Sequence, residues 1–215
     1  MTAQVELFYA PQSRASGVRV LLEELDAPYK LNVLNVKLGE NRRPDFLRIN
    51  PAGKVPTLVC GESVITEQVA IYIYLADLFP EKGLAPPLDD PLRGPYLRWF
   101  VHMASCFEPA LVDRAMKREE APQSVSPYGS FDTVMEAMRN QLSGQDYVLG
   151  NTMTAVDVLW GMGLRWGMMF GLVPEFEEFK AYTDRFFARP AVQNVLHDDQ
   201  RLASEQDDAV KRAVE

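Results

Sequence analysis

The stretch of the chain best suited to binding chemistry begins at Asn50 and ends at Asp77, with the sequence NPAGKVPTLVCGESVITEQVAIYIYLAD. Within it, an amphipathic helix is predicted to begin at Thr66, so that Glu67 and Gln68 lie in its first turn. The first N–H groups of a helix are unpaired and carry partial positive charge, so they suit a carboxylate, while the Glu67 side chain can accept from an ammonium group. The α-carboxylate and α-amine of an amino acid would fit together at this turn.

A proline turn precedes this helix start. Val55 stands directly before Pro56, which favours an extended backbone at Val55 and leaves its N–H and C=O groups able to pair with a peptide as an added strand. The turn and the helix start together predict a site for a small peptide with a free amino-acid end. Lys54 belongs to a set of basic residues that could collect around an anionic ligand or form solvated surface; the others are Arg14, Arg19, Arg42 and Arg43.

The elements that must position these groups can be predicted from hydrophobic periodicity. A hairpin of two short strands, residues 57–60 and 63–65, joins the proline turn to the helix. Upstream, the pattern predicts a strand over 5–9, a helix from Ala15, a strand over 29–36 and a short helix over 44–49. The first 77 residues therefore follow the order β-α-β-α-β-β-α of a thioredoxin-like α/β domain.

The motifs of this region resemble those of the cytosolic glutathione transferases. The family pattern Asn-Pro-x-Gly-x-Val-Pro-x-Leu stands here as residues 50–58. Glu-Ser-x-Ala-Ile and a following Tyr-Leu stand as residues 67–71 and 74–75, with Gln68 in place of the serine. The resemblance implies glutathione as cosubstrate, a cis peptide bond at Pro56, and a homodimer. It also implies the glutathione-binding residues, which are Lys54, Val55, Pro56, Glu67 and Gln68.

The loop after the first strand is predicted to hold the group that activates the glutathione thiol, because open α/β sheets bind ligands at the carboxyl ends of strands and at helix N-termini. In the transferases that the chain resembles, a Tyr, Ser or Cys here hydrogen-bonds the sulfur and favours the reactive thiolate. The loop reads PQSRAS over residues 11–16, which makes Ser13 the first candidate, followed by Arg14 and Ser16. Tyr9 is a fourth and also counts as a substrate-binding candidate. Alternatively, Ser13 only caps the first helix.

The second half of the chain is predicted to be helical. Five prolines between Phe79 and Pro95 exclude long regular structure, which divides the chain into a glutathione-binding domain over 1–80, a linker over 81–95 and an all-α domain over 96–215. Periodic runs predict helices over 96–118 with a kink at Pro109, 130–142, 155–171 and 176–188. The charged tail after Asp198 is expected to fray.

Two further motifs extend the resemblance into this helical region. Thr154 and Asp157 match the family's Ser/Thr-x-x-Asp capping box, whose role is structural rather than catalytic. Residues 182–185 and 189–191 match the family's Tyr-x-x-Arg and Arg-Pro-Ala. The resemblance thus covers nearly the whole chain.

A transferase also needs an apolar pocket for its electrophile, and the helical domain offers aromatic and methionine side chains for it. The candidates on the first helix after the linker and on a later helix are Trp99, His102, Met103 and Trp166. On the later helix, Met162, Trp166 and Met169 have i, i+4, i+7 spacing and are predicted to face the first helix, with Trp160 on the opposite side. A stripe of this kind is more often core than ligand site.

Composition excludes several classes of function. The chain has 215 residues, a net charge of -8 and a pI near 4.9, which argues against a nucleic-acid surface. No apolar run of 18 residues and no export signal at the N-terminus are present, so a cytoplasmic protein without membrane contact is expected. Only two cysteines and two histidines are available, which argues against a metal centre and a disulfide framework.

The function predicted from the residues and the resemblance is conjugation of the glutathione thiolate to a small hydrophobic electrophile. Two alternatives stay open. Proteins of this fold also serve as non-catalytic binding or regulatory proteins. Glu67 with Val55 and Pro56 favours a working site, whereas Gln68 and the Ser13 loop favour its loss. Glutathione-dependent disulfide or peroxide reduction normally uses a cysteine at the first helix, and the sequence has none between residues 1 and 59.

Overall fold

The computed structural model describes residues 4–119 and 121–214, so the first three residues, part of the N-terminus used for the export prediction, lie outside it. By its internal contacts the chain divides into a first unit, Met1–Phe79 with Arg189–Glu215, and a second unit, Pro80–Ala188. The sequence assigned residues 189–215 to the helical domain, whereas their contacts group them with the first unit. In the part of the chain that the structure describes, no helix combines the length and the apolar character needed to cross a membrane.

A four-stranded mixed sheet forms the centre of the first unit. β1 (Val5–Tyr9) pairs in parallel with β2 (Tyr29–Val33) and antiparallel with β3 (Thr57–Cys60), which continues through a hairpin into β4 (Ser63–Ile65). The strand order is β2-β1-β3-β4. A parallel pair needs a crossover connection, and α1 (Ala15–Glu24) provides it. The predicted thioredoxin-like architecture is confirmed.

β2 ends three residues earlier than the sequence predicts, and Asn35 explains why. Its Oδ1 accepts from the N–H groups of Lys37 and Leu38, at 3.1 and 3.2 Å, and these bonds open a 3₁₀ turn over Val36–Leu38. A side chain that bonds its own backbone in this way competes with the sheet ladder. After this turn come α2 (Pro44–Ile49) and, beyond the hairpin, α3 (Gln68–Leu78).

The second unit is helical, as predicted. A π-helical turn over Met103–Phe107 separates its first two helices, and Pro109 is the second residue of the helix that follows it. Proline lacks an N–H and crowds the carbonyl four residues earlier, so the α-helical ladder cannot pass through this point unchanged. The helix predicted over 96–118 is therefore interrupted near Pro109, where the sequence predicts a kink. The helices are α4 (Arg93–His102), α5 (Glu108–Ala115), α6 (Phe131–Leu142), α7 (Ala155–Met169) and α8 (Glu177–Phe187).

The predicted orientation of α7 is wrong. Trp160 is fully buried, its ring lies 5.6 Å from that of Trp99, and its Nε1 donates to the Trp99 carbonyl at 3.1 Å. Trp166 and Met169, which were predicted to face α4, are instead 51% and 72% exposed. The buried stripe of α7 includes Leu164 together with residues 157, 160, 161 and 167, which also fits a period of 3.6, so periodicity alone does not select the face.

The predicted capping box at the start of α7 is confirmed, and Asp157 does more than complete it. Its Oδ2 accepts from the backbone N–H and the hydroxyl of Thr154, at 2.8 and 3.2 Å. Its Oδ1 accepts from the Val148 N–H at 2.7 Å and from the Tyr182 hydroxyl at 3.1 Å. Four hydrogen bonds thus join the start of α7, the preceding loop and α8 at one fully buried carboxylate. Burial nevertheless raises the pKa of Asp157 to about 6.

The charged tail does not fray in this structure, so that prediction is wrong. Residues 190–214 form one helix, α9 (Pro190–Val214), which packs against α1. Its buried positions are Val192, Val195, Asp199 and Ala203, which recur at helical spacing. Arg189 directly precedes this helix. Its Nε donates to Glu24 Oε1 and its Nη2 donates to Glu24 Oε2, each at 2.6 Å. The tail is therefore an amphipathic helix, whose buried face packs against other elements of the first unit, chiefly α1.

Candidate functional site

The proline turn before β3 is built by Asn50. The Val55–Pro56 peptide bond is cis, which confirms the geometry that the resemblance implies. The Asn50 side-chain amide donates to the Lys54 carbonyl at 3.0 Å and to the Thr57 hydroxyl oxygen at 2.9 Å. The Thr57 hydroxyl donates to the same carbonyl at 2.8 Å. One buried polar pair therefore fixes both ends of the turn.

Gly53 completes the turn because no side chain fits there. Its φ is +61°, in the left-handed region, and a Cβ at this position would lie 2.8 Å from the Asn41 carbonyl and 2.6 Å from an Arg42 nitrogen. The Asn41 amide also donates to the Gly53 carbonyl at 2.9 Å. The turn is thus held from two sides.

Val55 presents unpaired backbone at this rigid turn. Among residues 4–119 and 121–214, neither its N–H nor its C=O has a hydrogen-bond partner. The Val55 side chain is half-buried, Pro56 is buried and Lys54 is exposed. An extended peptide laid along Val55 could pair with both backbone groups in the manner of an added strand.

Glu67 precedes α3 instead of lying in its first turn. Its φ and ψ are 62° and 114°, so the helix can begin only at Gln68, and the predicted start at Thr66 is wrong. A positive φ is uncommon for a non-glycine residue and often marks a functional position. The Glu67 side chain is exposed and makes no cap bond to its own helix, and within the described residues its carboxylate has no partner. The Glu67 carboxylate is therefore available to a ligand directly before the start of α3.

The Ser13 hydroxyl is engaged within its own loop. It donates to the Ala10 carbonyl at 2.7 Å and accepts from the Ala15 N–H at 3.1 Å. The residue at the N-cap position of α1 is Arg14, in helical conformation, and not Ser13. Ser13 is half-buried and Arg14 is exposed. Ser13 therefore behaves as the capping alternative predicts, because its hydroxyl accepts from the first N–H of α1, although the N-cap position itself is occupied by the next residue, Arg14.

Tyr9 and Ser16 both point away from solvent, toward Asp199 on α9. Tyr9 is fully buried and its hydroxyl donates to Asp199 Oδ1, while the Ser16 hydroxyl donates to Oδ2 at 2.5 Å. Burial raises the pKa of Tyr9, and the negative charge of Asp199 raises it further. A phenol held protonated beside a carboxylate is poorly suited to stabilise a thiolate.

Three of the four aromatic and sulfur candidates in the second unit lie in or beside its core. Trp99 and Met103 are each 1% exposed, and His102 is half-buried with its ring 5.2 Å from Trp99. The pKa of His102 is lowered, first by burial and then by the positive charge of Arg98. Trp166 is exposed and contacts Phe170, with ring centroids 4.6 Å apart, and so belongs to a different surface.

Two family models match this sequence, that of the glutathione S-transferase N-terminal domain over residues 3–77 and that of the C-terminal domain over residues 107–190. The chain belongs to the glutathione S-transferase family. The N-terminal match contains both the proline turn and Glu67, and the C-terminal match contains the capping box at Asp157. The family assignment made from the motifs is confirmed.

Relatives of this glutathione S-transferase family member differ in their named activities. This chain is 26% identical over 199 residues to glutathione S-transferase GstA of Escherichia coli O157:H7, and the alignment covers 89% of this chain and 97% of GstA. It is 26% identical over 206 residues to the disulfide-bond oxidoreductase YfcG of Escherichia coli K12, covering 89% and 94%. A solved sphingomonad glutathione S-transferase, complexed with glutathione, matches with a TM-score of 0.74 and 26% identity over 91% of this chain and 98% of that one.

Sequence reasoning missed the contribution of Asn50 and of Asp199. Asn50 opens the proline motif, and its position four residues before the Lys54 carbonyl that it binds was a local signal. Asp199 lies in the tail that was expected to fray. The helical spacing of Val192 and Val195 with position 199 could have indicated an amphipathic helix with a buried acid.

Proposed function

We propose that this protein is a glutathione transferase that conjugates the glutathione thiolate to small hydrophobic electrophiles. The observation that carries the proposal is the combination of two features: the unpaired backbone of Val55 at a cis-proline turn, and the exposed Glu67 carboxylate directly before α3. Together they suit a short extended peptide that carries both an ammonium and a carboxylate.

The proposed binding mode uses these groups separately. The γ-glutamyl ammonium of glutathione donates to Glu67, and the adjacent α-carboxylate accepts from the first N–H groups of α3, near Gln68. The middle of the tripeptide pairs with the backbone of Val55 beside Pro56. The Lys54 side chain is exposed, its ammonium group has no partner in the described part of the chain, and it supplies positive charge near the second carboxylate.

The proposed reaction is nucleophilic attack by the thiolate. The thiol first loses its proton to solvent, and the sulfur lone pair then forms a C–S bond while a halide leaves, an epoxide C–O bond opens, or electrons shift within an unsaturated carbonyl. Of the four candidate activators, Ser13 and Arg14 are retained, because the Tyr9 and Ser16 hydroxyls are held by a carboxylate. Ser13 would donate to the sulfur after releasing the Ala10 carbonyl. Holding both reactants together supplies the rest of the rate gain.

The electrophile site is proposed to use accessible apolar surface of the helical unit. Trp166 is exposed and His102 is half-buried, so these two are retained. Trp99 and Met103 are better explained as core residues that support α4.

We further propose a cytoplasmic homodimer, because the resemblance implies one, and light scattering of the purified protein would measure its mass.

Glutathione-dependent disulfide reduction is the second candidate, favoured by the similarity to YfcG. Such a reaction needs no protein cysteine if a bound glutathione thiolate attacks the disulfide directly and a second glutathione resolves the mixed disulfide. The two cysteines of the chain are Cys60, which is buried in β3, and Cys106 in the second unit. Neither lies in the loop around Ser13.

Calorimetric titration with glutathione, followed by two assays on the same preparation, tests these proposals. The transferase proposal expects measurable binding and conjugation of an activated aryl halide, an epoxide or an enone. The reductase candidate expects turnover of a small dialkyl disulfide with little conjugation. Binding without either turnover would support a non-catalytic role, and absence of binding would refute both proposals.

A further inference from the structure

The C-terminal helix inserts one carboxylate beneath the loop between β1 and α1. Asp199 is 3% exposed, and its Oδ2 accepts from the Ser16 hydroxyl at 2.5 Å and from the Gln12 backbone N–H at 3.3 Å. Its Oδ1 accepts from the Tyr9 hydroxyl. A buried carboxylate is costly unless its oxygens are hydrogen-bonded, and all three donors come from this loop and its two flanks.

The three donors bracket the residues that are candidates to contact the sulfur. Tyr9 is the last residue of β1 and Ser16 is the second residue of α1, so Asp199 holds both ends of the loop. Gln12 lies between them with φ of 55°, a left-handed conformation that is unfavourable for a side chain of this type. The bond from its N–H to Asp199 helps to hold that conformation. Ser13 and Arg14 follow immediately, so their directions depend on it.

We propose that Asp199 is a positioning residue of the thiol-activating loop: through Tyr9, Gln12 and Ser16 it fixes the backbone from which Ser13 and Arg14 reach the glutathione sulfur. The part played by Ser13 and Arg14 rests on the proposed function. The anchoring of the loop by Asp199 does not, because it follows from the contacts alone. Residues that hold the rest of glutathione, at the proline turn and at Glu67, lie on other elements, so losing the anchor affects turnover more than affinity.

A neighbouring residue provides a matched control. Asp198 also joins α9 to α1, through an ion pair with Arg19 at 2.6 Å, but it makes no contact with the loop in the described part of the chain. Asp198→Ala therefore loosens the helix without releasing the loop. Asp199→Asn is the conservative variant, because its amide oxygen can accept from Gln12 and Ser16 while its NH₂ donates to the Tyr9 oxygen.

Amide hydrogen exchange and kinetics on the full-length protein test the proposal together. In Asp199→Ala we expect exchange in the peptide covering residues 9–16 to accelerate about tenfold, and we expect kcat for conjugation to fall about 10- to 100-fold while the KM for glutathione changes less than about threefold. Asp199→Asn should recover most of both losses. Asp198→Ala should leave the exchange of this peptide and kcat within about twofold of the wild type.

The outcomes separate this inference from the proposed function. If the wild type does not conjugate any electrophile, the proposed function fails, and the exchange of residues 9–16 still decides whether Asp199 anchors the loop. Unchanged exchange in Asp199→Ala, or equal acceleration in Asp198→Ala, overturns the anchoring. Accelerated exchange with unchanged kcat overturns the positioning role. Should Asp199→Ala fail to fold, Ser16→Ala removes one donor and must accelerate exchange in the same peptide.

Discussion

Asp157 and Asp199 are buried carboxylates, one in each unit, and they serve different purposes. Asp157 accepts four hydrogen bonds from the start of α7, the preceding loop and α8, all of which belong to the packed framework of the second unit. Asp199 accepts three, from the loop that carries the candidate thiol activators and from that loop's two flanks. The same chemical group therefore stabilises a helix junction in one unit and orients a loop in the other.

The difference shows that burial and saturation with hydrogen bonds do not by themselves indicate a functional residue. What distinguishes the two is the element that donates. The residues that donate to Asp157, which are Val148, Thr154 and Tyr182, all have ordinary negative φ angles, whereas Gln12, which donates to Asp199, has a positive φ that is unfavourable for its side chain. Variants of Asp157 should therefore change stability alone, and variants of Asp199, Glu67 and Ser13 should change glutathione chemistry.

The largest expected effect is on stability. Asp157→Ala removes the acceptor of four buried hydrogen bonds, and of the four donors the Tyr182 hydroxyl keeps the backbone carbonyl of residue 157, at 3.2 Å, as another acceptor. The variant should lower the free energy of unfolding by about 3–5 kcal/mol. Denaturant titration followed by circular dichroism measures this. Asp184→Ala removes a carboxylate of α8 whose side chain is 74% exposed and should change stability by less than about 0.5 kcal/mol. A folded Asp157→Ala protein that had lost glutathione affinity would break the proposed division between the two carboxylates.

The pH dependence of stability sharpens the same comparison. Burial raises the pKa of Asp157 to about 6, above its ordinary value of 3.8, so the folded protein holds this proton more tightly than the unfolded chain. Its contribution to stability is therefore fully present below about pH 4 and is lost as the pH rises through 6, by about 3 kcal/mol in total. Asp157→Asn cannot titrate. The stability of the wild type relative to this variant should thus fall between pH 4 and 7, and a difference that stays constant or rises would contradict the buried-acid explanation.

A smaller effect is expected for Glu67. If its exposed carboxylate pairs with the γ-glutamyl ammonium, Glu67→Ala should weaken glutathione binding by about 1–3 kcal/mol, as expected for a charge-assisted hydrogen bond. Calorimetry measures the affinity. Glu62→Ala, at the exposed turn of the β3–β4 hairpin, changes the net charge equally and should leave the affinity unaltered. Equal weakening in both variants would mean that only long-range charge matters.

The smallest effect, and the one that separates the two retained activators, concerns the bound thiol. If Ser13 donates to the sulfur, Ser13→Ala should raise the pKa of bound glutathione and lower turnover at neutral pH, with each pKa unit corresponding to about 1.4 kcal/mol. Thiolate absorbance against pH follows this titration. A shift in Arg14→Ala but not in Ser13→Ala would assign activation to the guanidinium. A wild type that binds glutathione without lowering its thiol pKa would exclude both.

Local spacing made several short structures of this chain predictable. The hairpin, the proline turn, the start of α1 and the capping box each depend on residues separated by a few positions, such as Thr154 and Asp157. Hydrogen bonds and turn conformations at that range are set by neighbouring residue types, so one stretch of sequence contains the whole cause. Thr66 shows the limit of this reasoning, because the positive φ of Glu67 delays the helix by two residues.

The amino-acid sequence by itself determined the family, the order of elements and the position of the glutathione motifs, because these are written in short-range patterns. Only the tertiary structure decided which face of α7 is buried, with Trp160 inside and Trp166 outside, and where the charged C-terminal helix lies. Asp199 meets Tyr9 across 190 positions of the chain. Such a contact depends on how whole faces of helices bury their apolar residues against one another, and no single stretch of sequence encodes that choice.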